Sequence, residues 1–102
     1  MMRHVVVSVL AGADIEHAIR WLRDRNPRAA SLLRVEIDRA FEQLETGSIG
    51  SPLPRAPARL RDARRLLLNR FRYQLIFRVR EEAIEVIALM HDRRGPRALR
   101  SR

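Results

Sequence analysis

Residues 73–90, YQLIFRVREEAIEVIALM, constrain the fold more than any other part of the chain. Two apolar runs, Tyr73–Val79 and Ala83–Met90, flank a charged Arg80-Glu81-Glu82 corner, which predicts a β-hairpin. In the first run Tyr73, Leu75, Phe77 and Val79 share one face. Arg72, Gln74, Arg78 and Arg80 share the other, interrupted by Ile76. The second run is apolar on both faces apart from Glu85, as expected of a strand inside a sheet rather than at its edge. With RRLLLN just upstream, three consecutive strands are predicted at about 64–69, 71–80 and 83–90.

Upstream the period changes. Arg3–Leu10 alternates loosely and is rich in valine, which predicts another strand. From Asp14, read as an N-cap, Ile15, Ala18, Ile19 and Leu22 recur at helical spacing to about Arg25. Asn26-Pro27 supplies a cap and a first-turn proline for a second helix. Its stripe is Ala30, Leu33, Ile37, Ala40, Phe41 and Leu44, and Gly47 ends it. So short a link implies an antiparallel helical hairpin. Residues 47–59, with two glycines, two serines and three prolines, read as a loop long enough to suggest a function. The expected fold is α+β in the order β-α-α-β-β-β, a helical hairpin packed on a small, mostly antiparallel sheet. The free face of that sheet is expected to be largely arginine.

A length of 102 residues bounds this to a single domain over 1–102 with one modest core. Without cysteine there is no disulfide framework and no thiolate metal site. The apolar core near the N-terminus, Val5–Leu10, is shorter than the roughly 7–15 residues of a secretion signal, and no run reaches the roughly 18–20 of a membrane span. A cytoplasmic protein without a membrane role is expected.

Charge narrows the class further. The net charge is +9, and all 21 basic residues are arginine. Residues 1–46 hold seven arginines and seven acids, whereas residues 47–102 hold fourteen arginines and five acids. A codon bias explains the absence of lysine but not this asymmetry. A one-sided basic surface attracts phosphates or an acidic protein segment, and the guanidinium fork suits both. Phosphate-binding glycine loops, dinucleotide fingerprints and metal-ligand clusters are absent, so no cofactor or metal is expected.

The strand order, RRLLLNRFRYQLIFRV leading into IEVIALMHDRR, and the Pro-Arg-Ala-Ala entry to the second helix resemble the RelE/ParE superfamily of bacterial type II toxins. The likeness spans about residues 5–96, and its most specific part is the last strand followed by His-x-Arg-Arg. It implies a toxin encoded beside an antitoxin that neutralises it by direct binding, through an acidic segment, in a toxin–antitoxin hetero-oligomer. The superfamily has two mechanisms. RelE-like members cut mRNA on the ribosome, and ParE-like members poison DNA gyrase by binding, without catalysing a reaction themselves.

RNA cleavage needs a general base, a general acid and cations around the phosphate. His91, Arg65, Arg93 and Tyr73 are the candidates, with Tyr73 also able to stack on a base. The resemblance brings no catalytic lysine, since the chain has none, and Asp62 is the one acid in residues 46–80. Tyr73 also reads as core, and His91 as a hydrogen-bonding strand end. This under-supply favours the ParE-like branch and a protein that is not an enzyme, with the endoribonuclease as the alternative. Antitoxin- or phosphate-binding candidates are Arg61, Arg65, Arg72, Arg78, Arg93 and Arg94, and Trp21 is a candidate target contact. A third reading is a basic nucleic-acid-binding domain, its affinity set by phosphate neutralisation. It lacks a recognition helix.

Overall fold

The computed structural model describes residues 3–93, 99 and 102. Strand β1 (His4–Val7) leads into helix α1 (Val9–Arg25) and helix α2 (Pro27–Glu45). A short strand β2 (Ser51–Pro52) and a 3₁₀ turn (Ala58–Leu60) precede β3 (Arg64–Leu67), β4 (Tyr73–Val79) and β5 (Ala83–His91). The sheet order is β1-β5-β4-β3-β2. All pairs are antiparallel except β1 with β5, which run parallel with His4 opposite Ala83. The expected α+β hairpin-on-sheet fold is therefore present, with β5 inside the sheet and one added strand in the 47–59 loop.

The helix starts follow side-chain chemistry. Ser8, not Asp14, caps α1: its Oγ accepts the Ala11 N–H at 3.0 Å, so the helix begins a turn and a half earlier than expected and β1 is correspondingly shorter. Asn26 caps α2 by accepting from Ala29 N–H, with Pro27 in the first turn. Asp14 has a different task. β1 covers the edge of β5 only as far as Val86, after which the chain turns into α1. Beyond that point the β5 edge still carries backbone donors and acceptors that need partners. The Ser8 hydroxyl donates to Ile87 O, Asp14 accepts the Leu89 N–H at 3.1 Å, and Arg102 donates to Ile87 O at 2.9 Å. Arg102 also grips Asp14 through both carboxylate oxygens, at 2.8 and 2.9 Å.

Both faces of the sheet are buried. On one, Leu75, Phe77, Ile84, Val86 and Leu89 pack against Ile15, Ile19, Leu33, Ile37 and Leu44 of the hairpin. On the other, Ile76, Ile87, Ala88 and Met90 lie under Leu60, Ala63 and Leu99, with Leu53 and Ala56 at the margin. The expected arginine face is therefore wrong: residues 53–63 fold back and cover it. A register shift between Ile76 and Phe77 puts one extra β5 residue, Ile87, into the ladder. This bulge lets Ile87 and Ala88 serve the same face, which accounts for a strand apolar on both sides. The covering segment is entered through Gly50, whose φ is +54° and whose added Cβ would meet Arg65 O at 2.2 Å. Only glycine fits there.

Candidate functional site

A cleft of about 530 Å³ opens between α1 and the ends of β4 and β5. Its walls are Asp14, His17, Ala18, Trp21 and Leu22 on one side and Arg70–Tyr73 with Leu89–His91 on the other. The local structure explains its shape. The turn before β4 is tied to α2 by Glu36, whose Oε1 accepts the Arg70 N–H at 3.1 Å. Asp92 N–H donates to Arg72 O at 2.7 Å, holding the two strand ends together just where the helix no longer covers them.

His91 and Tyr73 are direct cross-strand partners in the β4–β5 ladder, their rings edge-to-face at 5.6 Å and 75°. Burial pushes the Tyr73 phenol's pKa up, so it is a neutral hydrogen-bond donor at physiological pH. His91 Nδ1 lies 3.2 Å from the Arg93 N–H and 3.3 Å from Asp92 Oδ1. The first contact needs a lone pair on Nδ1 and the second needs a proton there, so His91 makes one of the two at a time. Trp21 is 46% exposed at the cleft mouth, with the Arg25 guanidinium 3.8 Å above its ring. Arg70 and Arg72 are exposed, and Asp14, the carboxylate in the cleft wall, is already neutralised by Arg102. The cleft is thus an aromatic trough with a cationic rim.

The sequence candidates divide between this cleft and the opposite face. His91, Tyr73, Arg72 and Trp21 come together, and Arg93 is exposed two residues beyond the last strand position in the cleft. Arg65 does not join them. It sits across from Ile76 on the other face, donates to the buried Gln74 at 3.4 Å, and keeps its Nε buried without a partner. Arg78 is on that face too, 19% exposed, bound to Asp62 at 3.0 Å and to the carbonyl of Arg59. Arg61 is exposed on the covering segment. Arg94 lies outside the described residues.

Sequence reasoning missed Asp14, His17 and Arg70 as wall residues. The signal was present for two of them. Asp14, Ala18 and Trp21 fall at i, i+4 and i+7, with His17 one turn before Trp21, so all four lie on one flank of α1. Among the described residues no group of three or more His, Cys, Asp or Glu side chains is placed to hold a metal ion. Among the described residues no helix is long and apolar enough to cross a membrane.

A small sheet carrying a helical hairpin, with an aromatic, cationic cleft at the open strand ends, defines an α+β protein of the hairpin-on-sheet class. Residues 5–96 match the family model described as ParE toxin of the type II toxin-antitoxin system, parDE. The chain belongs to that family. Among solved structures it is similar to one titled "Chromosomal ParDE TA system from P. aeruginosa", with a TM-score of 0.73 and 20% identity. The superposition covers 88% of this chain and 96% of that one, and at this identity it speaks to the fold. No curated protein matched the chain. The resemblance read from residues 5–96 is thereby established on the ParE side of the superfamily.

Proposed function

We propose that this type II toxin acts by poisoning DNA gyrase and is neutralised by direct binding of a cognate antitoxin through an acidic segment. One observation carries the choice against mRNA cleavage: the RNase candidates are split by the sheet. Tyr73 and His91 open to the helix side, whereas Arg65 is on the opposite face, engaged with Gln74. A phosphate in the cleft has Arg70 and Arg72 within the same walls but not Arg65. A protein that works by binding does not need those groups gathered on one reacting atom, whereas acid–base catalysis does.

Two surface features support a protein partner. The cleft offers aromatic and guanidinium groups to an acidic, partly apolar segment. Val6, Val7, Val9 and Leu10 are all exposed beside β1, the end strand of the sheet among the described residues, Val9 by 89%. Contiguous apolar exposure at a strand edge marks an interaction surface.

The test is to follow labelled thymidine and labelled methionine incorporation in the first minutes after inducing the protein without antitoxin. Early loss of thymidine incorporation while translation continues is the expected result. Immediate loss of methionine incorporation would overturn the gyrase reading and return His91, Tyr73 and Arg93 to the front as nuclease residues.

A further inference from the structure

The first 46 residues sum to zero charge, but the helical hairpin separates that charge in space. Residues 20–34, around the α1–α2 turn, carry Arg20, Arg23, Arg25, Arg28 and Arg34 against Asp24 alone. Residues 36–45, at the far end of α2, carry Glu36, Asp38, Glu42 and Glu45 against Arg39. Antiparallel packing brings the two cationic stretches side by side, since both adjoin the Asn26-Pro27 link. A shallow trough runs along the outer seam there, away from the cleft. One part, about 310 Å³, has Glu16, Ile19, Arg20, Arg23 and Arg34 in its walls. The adjoining part, about 360 Å³, shares Arg23 and Arg34 and is floored by Ile19 and Ala30.

Among the described residues Arg20, Arg23, Arg28 and Arg34 make no ion pair and no side-chain hydrogen bond. This sets them apart from the C-terminal half, where Arg59, Arg64, Arg65, Arg78 and Arg102 are spent on internal acceptors. Exposed guanidinium groups also remain in the C-terminal half, at Arg55, Arg61, Arg70, Arg72 and Arg93, but the hairpin set gathers on one seam that net-charge counting had cancelled.

We propose that this hairpin tip binds the phosphate backbone of duplex DNA without reading its sequence. Charge complementarity is direct: a duplex presents roughly one negative charge per 1.7 Å of axis, and several arginines one helical turn apart meet several phosphates at once. The trough lies between two helices and has no strand edge, so a peptide finds no backbone to pair with there. A rigid phosphate array needs none. The trough is shallow and no element projects from it into a groove, so its arginines meet phosphates at the duplex surface and the contact positions without specifying. Glu16 is the one acid in the trough walls, against three arginines. This site is separate from the cleft and does not depend on the gyrase reading.

The experiment uses the purified toxin, a fluorescein-labelled random-sequence duplex of about 20 base pairs, and anisotropy titrations between 50 and 200 mM salt. With three to four phosphates neutralised, the log–log salt slope is expected near −3, an affinity loss of about 60-fold across that range. The triple variant Arg20→Gln, Arg23→Gln, Arg34→Gln is expected to weaken binding at least tenfold at 50 mM salt and to flatten the slope by about two to three. The equally charged control Arg39→Gln, Arg55→Gln, Arg80→Gln, away from the hairpin tip, is expected to change binding less than threefold. Equal losses in the two triple variants would overturn the proposal in favour of non-localised net charge. Competition by polyglutamate as effective as competition by unlabelled duplex, at equal charge, would overturn it in favour of an acidic protein. Absence of binding at 50 mM salt by a folded parent would overturn it outright.

Discussion

The two faces of the sheet are buried to similar degrees by opposite means. On the helical face, Phe77 and Leu75 are fully covered by two long, capped helices that bring their own backbone hydrogen bonds. On the other, Ile76 is equally covered, but by an irregular segment with only one 3₁₀ turn. That segment pairs part of its own backbone, as in Leu53 N–H to Ala63 O, and side chains hold the rest of this region: Arg78 to Asp62 and the Arg59 carbonyl, Arg64 to the Ile49 and Gly50 carbonyls, Arg59 to the Leu99 carbonyl. Arginine here is a fastener as much as a surface charge. A guanidinium with its fork of donors can bind several carbonyls that a regular element would have paired by itself.

The comparison can be broken at its strongest point first. Phe77→Ala, in the helical core, is expected to cost about 3–5 kcal/mol in urea unfolding, with both faces lost in one transition. A smaller effect is expected from Arg78→Ala, about 1–2 kcal/mol, because one partner, Asp62, is well exposed and solvent screens the pair. Hydrogen exchange sharpens the contrast. In that variant amides of residues 53–63 should exchange faster while those of β4 and β5 facing the hairpin keep their protection. Uniform acceleration would mean that the two faces form one cooperative unit.

The smallest effect concerns Tyr73 at the margin of the helical core. Its phenol pKa is raised by burial above the ordinary 10.0, so folding favours the protonated form. That contribution is complete below the unfolded value and is lost as pH rises through the folded one. Thermal stability of the parent should therefore fall more steeply above about pH 10 than that of Tyr73→Phe. Matching profiles would show that the phenol titrates as if free.

Much of the fold was legible because it rests on local periodicity. The hairpin corner at Arg80-Glu81-Glu82, the Asn26-Pro27 restart and the stop near Gly47 each state their geometry within a few residues. The start of α1 was misplaced because Asp14 and Ser8 are both good caps, and which one serves depends on where β5 ends β1. The cleft was half legible. His91 and Tyr73 were recognisable as chemistry, yet their pairing depends on a ladder register shifted by the Ile87 bulge, which no local pattern encodes.

By itself the sequence determined the element order, the hairpin-on-sheet class and the family, since these follow from period, caps and a long stretch of similarity. Only the tertiary structure decided which arginines are free. Charge counting assigns the whole positive excess to residues 47–102, but several of those cations are absorbed by the carbonyls of a segment with no regular pairing. Most cations of α1 and α2, neutralised on paper by acids nearby in sequence, are carried by an antiparallel turn to one end of the hairpin and most of the acids to the other. Net charge is a property of the chain, whereas an electrostatic surface depends on distance, and folding sets the distances.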